Sequence, residues 1–193
     1  MTKLRTGLLV VALGAGLAGL LAGDAATVGV VRPGGEVASH ARQAVWSEVK
    51  WPFPLDQWGL GRAFRCGADD CGTEVNLYLR AKIGFCNCTT GVSDDEELDR
   101  VGDLEMLSEK FVGITEGRPI TVGWMNGRSR PYVVTMRYAP PLAALAIGFN
   151  DKCDVAVATV VADQVHLAEA ERAAVEFLNS KLVLHWAELE LGL

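Results

Sequence analysis

The sequence contains no Cys-x-x-Cys pair, the spacing on which thiol oxidoreductases rely, and this counts against redox chemistry of that kind. It has only three histidines, His40, His166 and His185, too far apart for His-Glu-x-x-His or any other paired-ligand spacing on a helix. None of Ser93, Ser129 and Ser180 lies in the Gly-x-Ser-x-Gly setting of a nucleophile elbow. No Gly-x4-Gly-Lys-Ser/Thr phosphate loop is present, and Gly59-Leu60-Gly61 lacks the third glycine of a dinucleotide fingerprint. A basic excess is missing too: 18 Lys and Arg stand against 24 Asp and Glu, a net charge of -6. That balance excludes a general nucleic-acid binder, which needs cations to displace the counterions of the phosphate backbone. There is no internal repeat and no low-complexity tract.

What is present bounds the answer from the other side. Half of the 193 residues are hydrophobic, enough for one core and too many for a wholly disordered chain. The mean hydropathy of +0.20 is raised by one segment. Lys3 and Arg5 precede an uncharged apolar run from Gly7 to Gly23, and Asp24-Ala25-Ala26 follows. A basic start, an apolar middle and small residues at a cleavage point make a secretory signal, with cleavage after Ala25 or Ala26. The run also reaches the lower limit for a membrane span, about 17–25 residues, so an uncleaved anchor is the alternative. Either way the rest of the chain is expected across a membrane, periplasmic or secreted in the first case and facing the periplasm from the inner membrane in the second. The expected organisation is a signal or anchor over 1–25, a connector over 26–50 and a single domain over 51–193.

Within that domain the pattern predicts an antiparallel sheet covered by two helices, an α+β fold. Residues 38–49 admit a short helix. Pro52 and Pro54 make 51–61 an extended segment, pinned to the core by Trp51, Phe53 and Trp58. Residues 75–86 alternate apolar and polar side chains, as in a strand with one buried and one wetter face. Ser93 followed by Glu96 forms a capping box for a helix through Met106. Ile120–Met125 and Tyr132–Tyr138 flank Asn126-Gly127, the preferred tight-turn dipeptide, which predicts a hairpin. Leu142–Phe149 and Val155–Val161 predict a second hairpin, and Leu167–Leu178 a helix. The tail from Lys181 is open between helix and strand, its Leu182, Leu184, Trp186 alternation leaning to strand.

Five cysteines remain: Cys66, Cys71, Cys86, Cys88 and Cys153. The first four cluster, and outside the cytosol this reads as a disulfide framework of unknown pairing. Bridges between the 66/71 pair and the 86/88 pair are slightly favoured, because Cys86 and Cys88 two apart on a strand are awkward to join. Cys153 is then a buried free thiol. A metal site on Cys66, Cys71, Cys86 and Cys88 and a thiol-handling role are the competing readings. Arg118, Arg128, Arg130 and Arg137 form one basic stretch in an acidic chain, and Arg128 with Arg130 is a candidate anion-binding pair. A charged strand edge is the alternative.

The segments WPFPLDQWG (51–59) and VNLYLRAKIGFCNCTTGV (75–92), with GRPITVGWMNGRSR (117–130) and FLNSKLVLHWAELELGL (177–193), resemble a set of uncharacterised exported proteins of Gram-negative bacteria. The resemblance implies export and brings no activity. The sequence therefore predicts an exported, disulfide-stabilised, non-enzymatic module that binds a protein or a small anionic ligand, with no cofactor and no catalytic residue. A membrane-tethered accessory subunit and a thiol- or metal-handling protein are the alternatives.

Overall fold

The computed structural model describes residues 44–193. The signal or anchor and most of the connector lie outside the described residues. Eight strands form one sheet: β1 (Trp46–Val49), β2 (Arg62–Cys66), β3 (Val75–Lys82), β4 (Phe111–Gly113), β5 (Arg118–Val122), β6 (Met125–Val134), β7 (Leu142–Asp151) and β8 (Asp154–Ala162). Their order is β1-β2-β3-β8-β7-β6-β4, with β5 also paired to β6. Every pairing is antiparallel. The helices are a single turn α1 (Ala68–Cys71), α2 (Asp95–Val101), α3 (Leu167–Leu178) and α4 (Lys181–Leu191). The expected antiparallel α+β domain is present.

Both sheet faces are covered, so the molecule has two cores. On one face Leu77, Leu79, Leu145, Ile147, Phe149, Ala158 and Val160 pack against Ala170, Ala174, Phe177 and Leu178 of α3 and Val183, Ala187 and Leu191 of α4. On the other, Ala144, Ala146, Val155, Val157 and Tyr132 pack against Leu98 and Val101 of α2 and Leu104 beyond it. This explains why β7 and β8 are apolar on both faces: each sits mid-sheet under two layers.

Several boundaries differ from the sequence reading. Residues 46–49 form strand β1 rather than part of a helix. The tail is helical: Ser180 caps it by accepting from the Val183 N–H, and Gly192 closes it in the left-handed conformation. The cap of α2 is Asp94, not Ser93; its carboxylate accepts from the Glu97 N–H. The first hairpin forms, but its turn is Gly123-Trp124, with Gly123 at φ +59. Asn126-Gly127 instead lies within β6. A Cβ on Gly127 would come within 2.3 Å of the Gly148 carbonyl oxygen, so that glycine serves close strand approach rather than the turn. β3 ends at Lys82, which leaves Cys86 and Cys88 in the loop beyond it.

Candidate ligand-binding site

The alternation of β3 sends Leu77 and Leu79 to the α3/α4 core and Tyr78, Arg80 and Lys82 to the α2 face. That second side is not wet. Arg80 is 3% exposed and Lys82 4%, because the segment running from α2 to Met106 lies over them. Burying two cations is costly unless each is paired and hydrogen-bonded. Asp103, itself 5% exposed, serves both. Its carboxylate accepts from Arg80 Nε at 2.9 Å and Nη2 at 2.8 Å, and Lys82 Nζ lies 2.7 Å from the same group. Lys82 donates further to the carbonyls of Val101 at 2.7 Å and Gly102 at 3.3 Å. The remaining Arg80 nitrogen, Nη1, reaches out to both oxygens of Asp56, each at 2.7 Å.

Above this charged floor opens a cavity of about 620 Å³. Phe53, Trp58, Phe85 and Met106 supply its apolar surface, and Asp56, Gln57, Asp99, Arg100 and Glu105 its polar rim. Trp58 and Phe85 are in ring contact at 4.5 Å between centroids, and Lys82 Nζ lies 5.5 Å and 5.4 Å from their rings. The Arg100 guanidinium covers the other part of Phe85 at 4.9 Å. Phe53 is held by Trp51 and Tyr78 in edge contacts, so the proline-rich segment is pinned by its aromatics as expected. Hydrogen bonding to Arg80 holds the Asp56 carboxyl below its ordinary range, against opposition from burial. Burial works to lower Arg80, but Asp103 and Asp56 more than reverse it and raise its pKa.

Arg128 and Arg130 share the same sheet face, in the middle of β6 rather than near a turn. Carboxylates of α2 engage them. Arg128 Nε binds Asp95, and Arg130 lies 3.4 Å from Asp95 and 3.0 Å from Asp99. The Tyr132 hydroxyl also donates to Asp99. Asp95, Asp99 and Asp103 recur every four residues, so one side of a short acidic strap is bolted to two basic pairs, Arg128/Arg130 and Arg80/Lys82. The forks proposed for an external anion at Arg128 and Arg130 thus meet internal ones.

The cysteines pair as Cys66–Cys71 and Cys88–Cys153. The expected bridges between the 66/71 and 86/88 groups do not form. Gly67 begins a single helical turn that folds Cys71 back onto Cys66, while the β7–β8 turn at Lys152-Cys153 carries Cys153 to the loop after β3. Cys86, not Cys153, is the free thiol, and it is buried. It donates to the Lys152 carbonyl at 3.2 Å, and its backbone N–H donates to the Cys153 carbonyl. With Cys66, Cys71 and Cys88 in disulfides, the four cysteines 66, 71, 86 and 88 are not gathered as a set of free thiols. Burial, then Glu97 and Asp154, push the Cys86 thiol up to about 11, which disfavours the nucleophilic thiolate.

Sequence reasoning missed the Arg80, Lys82 and Asp103 group. One signal was available: β8, which pairs with β3, is apolar on both faces. Covered neighbours imply that the polar side of β3 is covered as well, and buried cations need a carboxylate.

No family model and no curated sequence matches the chain. A crystal structure of a Pseudomonas aeruginosa protein of unknown function is similar at 13% identity, with a TM-score of 0.38, over 71% of this chain and 81% of that one.

Proposed function

We propose that the chain is an exported, disulfide-stabilised binding module and that the cavity over β3 is its ligand seat. The observation that carries this reading is the cavity itself. Its volume of about 620 Å³ suits a small molecule, and it sets aromatic walls beside a floor and rim that are mostly charged. Its deep polar atoms are held by one another, which makes the floor rigid and pre-organised. Export is supported by the leader-like start of the sequence and by two disulfides, which persist in oxidising compartments. No helix among the described residues is long and apolar enough to cross a membrane; the apolar run 7–23 lies outside them.

The test is a titration of the ¹⁵N-labelled protein with small aromatic probes of each charge type: benzoate, benzylamine and benzyl alcohol. The five tryptophan indole signals report position. The Trp58 signal is expected to move with at least one probe while that of Trp124, on the β5–β6 turn, stays put. A Trp58→Ala variant, followed at the backbone amides of Phe53, Phe85 and Met106, which line the same cavity, is expected to lose binding. Uniform small shifts, or a Trp58→Ala protein that binds as well, would remove the cavity from consideration. N-terminal sequencing of the exported protein separates a free module, starting near Ala26, from a tethered subunit that retains Lys3 and Arg5.

A further inference from the structure

We infer that the ligand of this cavity carries one small anionic group, a carboxylate or phosphate monoester, on an apolar body, and that Asp56 occupies the place of that group on Arg80. This rests on the cavity being the ligand seat and adds the chemical class of ligand.

The charges of the floor do not balance by themselves. Arg80, Lys82 and Asp103 are all about 95% buried or more, two cations against one anion. A net buried positive charge is unfavourable without a further anion. Lys82 is ion-paired with Asp103 and donates to the carbonyls of Val101 and Gly102. Arg80 Nε and Nη2 are taken by Asp103. The remaining nitrogen, Arg80 Nη1, is met by Asp56 and, at 3.5 Å, by the Gly59 carbonyl, and Arg80 and Asp56 both line the cavity.

The anion found there is of a different kind from Asp103. Asp56 is 41% exposed at its side chain and belongs to the connecting segment, not the sheet. It lies on a four-residue turn closed by the Gly59 N–H to Asp56 carbonyl bond at 3.1 Å and by the Trp58 N–H to its own carboxylate at 2.8 Å. Its strand-type pairing among the described residues is an isolated bridge between Asp56 and Gly59. The same four residues carry Trp58, the aromatic wall. One turn thus supplies both the internal carboxylate and the ring beside which a ligand body would lie. An incoming carboxylate offers Arg80 the same two-oxygen geometry as Asp56 does.

The rim limits how much negative charge can enter. Glu105 is exposed, Asp99 is half-exposed beside Arg130, and Arg100 on the same rim is ion-paired with Glu97. These carboxylates repel a polyanion but leave room for a single small group near Arg80.

The experiment compares wild type with Asp56→Asn, titrated with benzoate, phenyl phosphate, benzylamine and benzyl alcohol and followed at the Trp58 indole. Removing the competing carboxylate is expected to tighten benzoate or phenyl phosphate by roughly tenfold or more and to leave benzylamine no tighter. An Asp56→Asn protein that binds the anions equally or more weakly would overturn the inference, while leaving the cavity as a binding site. So would a wild-type preference for benzylamine or benzyl alcohol. Failure of every probe, on both proteins, would remove the binding reading as well. Should Asp56→Asn melt early by circular dichroism, the wild-type ranking of anion over cation and alcohol decides.

Discussion

Asp103 is the residue on which the second core depends most. It satisfies two buried cations at once, so removing it strands both. Asp103→Ala is expected to cost about 3–5 kcal/mol of stability, measured by urea denaturation. The combined replacement of Arg80 and Lys82 by methionine and Asp103 by leucine is expected to lie much closer to wild type, because it deletes the charges together instead of orphaning them. Cys86 gives a second test. Its thiol holds its proton up to about 11, against an ordinary value of 9.0. The native state therefore binds that proton more tightly than the unfolded chain. The resulting stability is fully present below pH 9 and is lost as pH rises through about 11. Iodoacetamide at pH 7–8 is expected to leave the native thiol unlabelled and to modify one cysteine per chain after unfolding without reductant. More than one labelled cysteine would contradict the two disulfides. At this scale the sequence was only partly legible. The aromatics of 51–61 announced their anchoring role by size. Arg80 and Lys82 looked solvated because alternation alone does not say what covers the second face.

Among the elements, α2 covers the second core with only seven residues. Seven residues are too few for a stable isolated helix. Tertiary contacts supply its stability: Leu98 and Val101 are fully buried, and Asp95 and Asp99 meet the arginines of β6. Leu98→Ala is expected to cost about 2–5 kcal/mol. Burial tends to raise the Asp95 carboxyl, yet Arg128, the Gly117 N–H and Arg130 outweigh it and hold it below its ordinary 3.8. Glu97 is likewise held low, chiefly by its hydrogen bond from Arg100. Both contributions are present above the ordinary carboxyl range and are lost as pH falls below it, through the lowered native values. Amide exchange is therefore expected to rise around 85–106 in acid before it rises in β7 and β8. β3, β7, β8 and α3 were readable because period is a local signal, whereas β1, β2 and β4 are too short to show one. The tail was left open because its Leu182, Leu184, Trp186 alternation competed with Ser180 and Gly192, the better guides to a helix. Asn126-Gly127 misled in the opposite way: a good turn dipeptide was needed for strand contact instead.

For the whole molecule, the two disulfides differ in reach. Cys66–Cys71 spans five positions and Cys88–Cys153 sixty-five. Chain-entropy arguments then give about 2 kcal/mol for the first and about 4 kcal/mol for the second. Thermal melts of Cys66→Ser/Cys71→Ser and Cys88→Ser/Cys153→Ser proteins are expected to show the larger loss in the latter. Equal losses would mean that local packing, not loop length, sets their worth. Pairing was beyond the sequence because Cys153 reaches Cys88 only through the β7–β8 turn, a long-range fact. The fold class was legible because strand runs and hairpins outnumber crossovers.

The β3–β8 ladder joins segments separated by the whole β4–β7 region, with Asn76 opposite Val161 and Lys82 opposite Val155. It cannot form until that intervening chain has found its ends, and non-local pairings of this kind slow folding. The Cys88–Cys153 bridge ties those ends together beside the last rung of the ladder. A chain that acquires this bridge early has already lost the closure entropy that would otherwise oppose docking of β8 on β3. The order of events, oxidation before docking, would then set the rate at which the central sheet assembles.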